Sequence, residues 1–569
     1  MRNTAAERGS PMKNGKIFAI ALTVFLLVPL LFGCNDTKNE GLWDAPAPAG
    51  LAALSVTLSR SDIETGFTKS DTHIALNGGS ASVTGRGAAV SGSTVTITSG
   101  GVYVVSGTLD DGRIEVAATK DDDVRIVFNG ASVTNKSGAA VCASQCKRLV
   151  VTLAAGTQNT LTDGGASFLY ADEAAQEPNG ALFCKDDLTI NGEGSLMVSA
   201  GFKNGISTKD DLLILSGEVT VNAANHALYG KDSAAVLGGM IELTAGGDGI
   251  KTNTVDDPSR GWILLSGGNI LISSAGDGVQ ADTALEVTGG TLKVTACGDK
   301  EEREAAQGAG FEGLKSNGSL SVTSGEVVVV SSGDCLRAAG DMLLAGGSLS
   351  LSTSGKAAQS GGLLSVTGGT VSVARSYEGL EGVCVEISGG LIGINADDDA
   401  INAAGGADGV KEVDTAECHV NITGGDISFL ARGDGVDSNG DISISGGTIN
   451  AFIDSTPDNG AMDCDGALLV TGGVVVYGGT GAGKTPDGAS TQSYVHLEQA
   501  LAAGTEVRVE KGGTELIKVS LPTDCAYLVI SVPGMISGQN YELFSGGTRL
   551  SEIAAGTGGE FLGGRGKGN

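Results

Sequence analysis

A glycine mark that returns every 22 residues or so constrains this chain more than any other feature. Gly-Gly or Ser-Gly closes an apolar, alternating segment at Gly217, Gly239, Gly268, Gly290, Gly325, Gly347, Gly369, Gly390, Gly425, Gly447 and Gly473. The successive intervals are 22, 29, 22, 35, 22, 22, 21, 35, 22 and 26 residues. A base period with insertions of 7 and 13 describes a solenoid whose units bury their apolar faces only by stacking. Within one unit Leu285 and Val287, then Leu292 and Val294, alternate with polar neighbours, the period-two signature of strands with one inward face. No helical segment separates them, and the leucine and asparagine spacing of leucine-rich repeats is absent. The expected fold is therefore all-β, a right-handed parallel β-helix, because crossovers between parallel strands take that hand. Roughly fourteen coils at about 4.8 Å each would make a rod about 70 Å long.

Composition agrees with many short strands and tight turns. Glycine fills 92 of 569 positions and proline only 10, which excludes proline-rich linkers, while 41% hydrophobic residues exclude disorder. A net charge of −30 repels nucleic acid and anionic lipid and attracts metal ions. Acidic polysaccharides would be repelled as well unless divalent cations bridge the two surfaces.

The first residues read as a targeting segment. Arg2, Arg8, Lys13 and Lys16 precede an apolar run, Ile17 to Phe32, that ends at Gly33-Cys34. This is the pattern of a lipoprotein signal spanning 1–33, with Cys34 as the lipidated N-terminus; Phe32 is unusual two residues before the cysteine. An uncleaved membrane anchor is the alternative, although the run is short and Pro29 interrupts it. Either way the remaining chain faces outward, on the extracellular face of the membrane. Residues 34–50 form a tether, 51–112 an N-terminal β cap, 113–490 the β-helix, 491–550 a small C-terminal β subdomain and 551–569 a glycine-rich tail. The nine cysteines beyond Cys34 are scattered, without the spacing of a zinc site or a disulfide framework.

Equivalent positions of successive coils lie above one another, so columns matter more than linear motifs. The position that aspartate holds in Gly-Asp-Gly-Val is acidic in most coils: Asp248, Asp277, Glu312, Asp334, Glu378, Asp399 and Asp434, with Lys356 taking the place once. Three positions on stand Lys251, Gln280, Lys315, Arg337, Asp437 and Asp463; five positions on stand Asn253, Asp282, Asn317, Asn439 and Asp465. Carboxylates about 5 Å apart repel by roughly 3 kcal/mol at an effective dielectric near 20, so a stack of them either raises its pKa values or holds a cation. Ca2+ takes carboxylate, amide and carbonyl oxygens. The expected calcium sets are Asp248, Asp277, Asp282, Glu312 and Asn317; Asp434, Asp437, Asn439, Asp463 and Asp465; and Asp397, Asp398 and Asp399. The competing account is turn chemistry, since Asp, Asn and Gly favour turns on conformational grounds alone.

The remaining signals are weak. Gly478 to Thr485 is one residue short of a phosphate loop, and His73, His226, His419 and His496 are isolated. Lys185-Asp186-Asp187, Lys209-Asp210-Asp211 and Lys231-Asp232 read as an ion-pair ladder.

Several motifs together resemble a known family. They are Lys185-Asp-Asp-Leu-Thr-Ile-Asn-Gly192, Gly247-Asp-Gly-Ile-Lys-Thr-Asn253, Ser376-Tyr-Glu-Gly-Leu-Glu-Gly382, Asp398-Asp-Ala-Ile-Asn-Ala-Ala-Gly-Gly406, Gly433-Asp-Gly-Val-Asp-Ser-Asn-Gly440 and Asn459-Gly-Ala-Met-Asp-Cys-Asp-Gly466. Over about 110–480 the chain is similar to bacterial cell-surface carbohydrate-binding proteins, right-handed parallel β-helices that bind polygalacturonate and are related in structure to calcium-dependent pectate lyases. The resemblance implies bound calcium and an acidic polysaccharide partner. His226, Cys335-Leu-Arg337 and Gly355-Lys-Ala-Ala358 depart from the pattern. The expected function is a monomeric, lipid-anchored, non-catalytic binder of pectin-like chains. A calcium-dependent polysaccharide lyase, with Lys251 or Lys315 as base, is the first alternative. An adhesin or surface spacer is the second.

Overall fold

The computed structural model describes residues 53–569 apart from 166–167, 169, 171–173, 175, 255, 298–309, 405–417, 456, 482, 558–560 and 563–569. Cys34, the signal of 1–33 and the tether of 34–50 lie outside the described residues.

Each coil is a triangle of three strands. In one, Leu314–Ser316 forms a short face, Ser319–Val322 a middle face and Glu326–Ser331 a long face. Each pairs in parallel with its counterpart one coil before and one coil after, for example Leu314 with Val279 and Leu336, and Val327 with Leu292 and Leu349. The short strands make a sixteen-stranded sheet. The middle and long strands join in one thirty-two-stranded sheet through Asp123–Thr134, which pairs with both Arg148–Leu153 and Gln158–Thr162. The fold is thus nearly all-β and β-helix-like.

Alternation explains the core. Leu314, Leu320, Val322, Val327 and Val329 are buried, and their equivalents in every coil continue one apolar column from Ile74 to Val529. The corner between middle and long faces requires glycine. The eleven marks from Gly217 to Gly473 all have φ between +78° and +103°. At Gly347 an added Cβ would also lie 2.6 Å from the carbonyl oxygen of Gly325. The described cysteines are free thiols, mostly buried among these side chains.

Both ends of the stack are covered. Thr72–Gly78 pairs antiparallel with Ala81–Thr84 and parallel with Gly101–Leu109, so parallel pairing begins well before residue 113. At the other end Val474–Gly479 pairs antiparallel with Cys525–Ser531. A four-stranded antiparallel sheet (Thr514–Ser520, Glu506–Lys511, Asn540–Ser545, Thr548–Ala554) follows, and its Val507, Val509, Tyr541 and Leu543 share a second core with Phe452 and Val476 of the last coils. These covers blunt edges that would otherwise template further strands.

The segment from residue 53 to the short helix Arg60–Ile63 runs as a strap over the middle face. Leu54 N–H donates to Glu286 Oε2 (2.7 Å), and Leu54 and Val56 pack on Leu213, Ala235 and Leu264. Ser59 and Asp62 form a reciprocal cap, and buried Asp62 also accepts from Thr189 Oγ1 (2.7 Å) and pairs with Arg148 (3.3 Å). Among the described residues no helix is long and apolar enough to cross a membrane.

Candidate functional site

The register brings the acidic column together. Ile250, Val279, Leu314, Leu336, Ala358, Leu380, Ile401, Val436 and Met462 are successive partners on the short face. Asp248, Asp277, Glu312, Asp334, Lys356, Glu378, Asp399 and Asp434 each stand two residues before such a partner, hence one above another.

Most of these carboxylates have a first task that is structural. One oxygen accepts the backbone N–H of the equivalent residue in the next coil: Asp277 N donates to Asp248 Oδ1 (2.9 Å), Glu312 N to Asp277 Oδ1 (2.9 Å), Lys356 N to Asp334 Oδ1 (2.8 Å), Asp434 N to Asp399 Oδ1 (2.6 Å) and Gly460 N to Asp434 Oδ1 (2.5 Å). His226 does the same upstream, its Nδ1 accepting from Asp248 N (3.0 Å). Burial lowers His226 to about 4 against the pull of Asp248, so the ring is neutral. The caps satisfy N–H groups at a corner that the sheet ladder leaves unpaired.

The second oxygen separates the stack into two halves. In the first half it meets cations from the row three positions on. Lys251 Nζ lies 2.7 Å from Asp248 Oδ2, Lys315 Nζ 3.2 Å from Asp277 and 3.3 Å from Glu312, and Arg337 3.5 Å from Glu312 and 3.4 Å from Asp334. Lys356, buried, pairs with Glu378 (3.6 Å) and more closely with Glu381, which also accepts from Gln359 Nε2 (3.1 Å). Burial and neighbouring Glu381 push Glu378 up to about 9, so it keeps its proton at neutral pH. Burial together with Glu312 raises Asp277 to about 6. The expected set Asp248–Asp277–Asp282–Glu312–Asn317 is thus largely occupied by lysine and arginine. Asp282 and Asn317 bond to each other (3.0 Å), and Asn317 but not Asp282 lines the cleft described below.

In the second half the row turns acidic, and among the described residues no basic side chain is paired with Asp399, Asp434 or Asp437. Asp399, Asp434 and Asp437 offer oxygens all within 4.8 Å of one another. Burial and mutual repulsion raise Asp399 and Asp434 to about 7 and Asp437 to about 6. Asn402, the register partner of Asp437, is buried, and its Oδ1 has no hydrogen-bond partner. Oxygen donors without a counter-cation suit a hard divalent ion. Asp463 is the next register partner of Asp437 and is exposed, as is Asp465; Asn439 is half-buried. Of the expected triplet, Asp399 alone joins the cluster. Asp397 is held by Arg375 (2.9 Å) and Arg432 (3.0 Å), and Asp398 accepts from the hydroxyl of Tyr377. Nothing in the spacing of single motifs reveals Asn402; aligning the row by register does.

A cleft of about 1070 Å³ runs along the first half, from His226 to Tyr377. Asp248, Asp277, Glu312 and Asp334 line one side of its floor, and Lys251, Gln280, Lys315, Arg337 and Gln359 line the other. Both rows repeat at one strand spacing, about 4.8 Å. Such a floor offers paired donors and acceptors to a linear polymer of hydroxyl and carboxylate groups. The two lysines are poorly set as bases. Lys251 donates to Asp248 and Gln280, and although burial works to lower Lys315, Asp277 and Glu312 outweigh it and hold the ammonium above its ordinary value. The Lys-Asp ladder lies apart from this cleft: Lys185 and Lys209 share Glu177 (3.1 Å each), and Asp232 takes Lys231 and Arg260.

A family model described as "carbohydrate-binding domain-containing protein" matches residues 91–358 and 352–520. The chain belongs to this carbohydrate-binding domain family. An Acetivibrio thermocellus protein of the same description is 36% identical over 212 residues, covering 37% of this chain and 74% of that protein. The solved structure of a polysaccharide lyase-like protein from C. thermocellum is 32% identical, with a TM-score of 0.41, over 44% of this chain and 96% of that one. Family membership makes a polysaccharide the partner to consider for the cleft. Both rows of its floor, and the Asp399–Asp434–Asp437 cluster beyond it, fall within the matched residues.

Proposed function

We propose that this carbohydrate-binding protein is a non-catalytic, monomeric binder of an acidic, pectin-like polysaccharide, held along the cleft with calcium bound beside it. The observation that carries this reading is the in-register row Lys251, Gln280, Lys315, Arg337 and Gln359 on the cleft floor. A polymer with a carboxylate on each sugar meets donors at every coil, and its charge is drawn to the cations despite the acidic molecule around them. Calcium at Asp399, Asp434 and Asp437, with Asn402 as neutral donor, extends the cleft by bridging those carboxylates to the same chain. The right-handed winding is the hand that twisted parallel strands and their crossovers adopt. The lipid on Cys34 holds the protein on the outer face of the membrane.

Electrophoresis through gels containing polygalacturonate tests the reading. Migration is expected to slow in that gel and not in one containing a neutral glucan, the delay shrinking when EDTA replaces calcium. No absorbance from unsaturated products is expected on incubation. Equal mobility in both gels would overturn the proposal, and unsaturated products would replace it with a lyase.

A further inference from the structure

The wall of the cleft has a period of its own. Three residues before each short-strand partner, the turn carries Asn225, Gly247, Gly276, Phe311, Gly333, Gly355 and Tyr377 in successive coils. Phe311 and Tyr377 therefore occupy equivalent positions three coils apart, about 14 Å at the strand spacing. Two glycines separate them, so the turns between carry no side chain. Three coils above Phe311, beside Asn225, stands the neutral ring of His226, stacked on Tyr229 with centroids 6.0 Å apart. Planar groups thus mark the two ends and the middle of the cleft.

These rings are unusual in this molecule. The chain is only 4% aromatic, and most described tyrosines are buried, whereas Tyr377 is 50% exposed. Phe311 packs against the core yet lines the cleft. Tyr377 is also fixed in place, its hydroxyl donating to the Asp398 carboxylate, which pushes the phenol up to about 12. An exposed ring that a half-buried carboxylate holds in one orientation is set for a flat apolar partner. The C–H face of a pyranose is such a partner, its weakly positive hydrogens meeting the negative face of the ring.

We infer that Phe311 and Tyr377 are two sugar-stacking subsites of the cleft, spaced so that only a chain long enough to span three coils engages both, with Asp398 positioning Tyr377. The inference rests on the acidic-polysaccharide reading above and adds to it a minimum ligand length and an extended ligand shape.

Calorimetric titration with galacturonic acid disaccharide and hexasaccharide tests it. In the wild type the hexasaccharide is expected to bind far more tightly than the disaccharide. Tyr377→Ala and Phe311→Leu are each expected to reduce that ratio by about tenfold, the scale of one lost aromatic contact. Tyr377→Trp should keep the ratio, and its emission should shift on adding hexasaccharide, against a background of two native tryptophans. A ratio unchanged in Tyr377→Ala, or an unmoved emission in Tyr377→Trp, would overturn the stacking subsites while leaving the acidic-chain reading intact. A wild type that binds neither oligomer would overturn that reading, and the subsites with it.

Discussion

Replacing Asp434 by asparagine separates the two roles that the acidic column has been given. Asp434 Oδ1 accepts the N–H of Gly460, and an amide oxygen accepts it equally well, so Asp434→Asn keeps the turn. What it removes is charge. Burial, with Asp463 and Asp437 nearby, raises Asp434 from an ordinary 3.8 to about 7. A rise of that size corresponds to at most about 4 kcal/mol of penalty on the charged form. Solvent at a half-open turn and the sharing of one repulsion among three carboxylates reduce it to on the order of 1–2 kcal/mol. A raised carboxylate pKa means that the folded state holds the extra proton, so stability without metal is highest below about pH 4 and falls as pH rises through about 7. Without calcium at pH 8, Asp434→Asn should therefore be more stable than the parent by that amount. With calcium the order should reverse, because a ligand bound only by the folded form at a hundredfold excess over its Kd contributes about 2.7 kcal/mol, which the variant forfeits. Urea unfolding at pH 8 with EDTA and with calcium measures both. A variant destabilised to the same extent in both conditions would refute the argument and leave the column as turn chemistry alone.

Two further predictions test other parts of the molecule. Glu378→Gln should be neutral to stabilising at pH 7 and should remove a loss of stability that the parent suffers as pH rises from about 4.5 through about 9, whereas Glu381→Gln removes the closer counter-charge of buried Lys356, leaves Glu378 at 3.6 Å to ionise in its place, and should cost on the order of 1.5–3 kcal/mol; denaturant midpoints across pH 5–10 compare them. Asp62→Ala deprives Arg148, Thr189 and the Ser59 cap of their shared acceptor, so the strap should release and residues near 53–64 should become sensitive to a nonspecific protease while the coils stay resistant, followed by mass spectrometry.

How much of this was legible in the sequence differs by level. The turn marks were, because a corner that needs positive φ admits little but glycine, and all eleven glycines adopt it. The vertical column was too, since a constant period fixes which residues are stacked. The strap was not: residues 53–63 carry no repeat, and their anchors, Glu286, Thr189 and Arg148, lie far away in sequence. The N–H capping by Asp248, Asp277, Asp334, Asp399 and Asp434 was also hidden. Composition at a turn shows that aspartate is favoured but not that one oxygen is already committed to the next coil.

That commitment explains why seven acidic residues in a line do not make seven equivalent ligands. Each of the five capping aspartates has one oxygen to spare, and the row three positions on decides its use. Lysine or arginine there, as at 251, 315 and 337, neutralises the spare oxygen and turns the column into the floor of a cleft. Aspartate there, as at 437, adds another charge, and among the described residues no basic side chain balances the converging donors. The row three positions on carried this distinction in the sequence, in the change from Lys251, Lys315 and Arg337 to Asp437 and Asp463. Reading two columns together, rather than counting acids in one, divides a uniform-looking stack into an ion-paired half that lines the cleft and an acidic half whose carboxylates crowd one another.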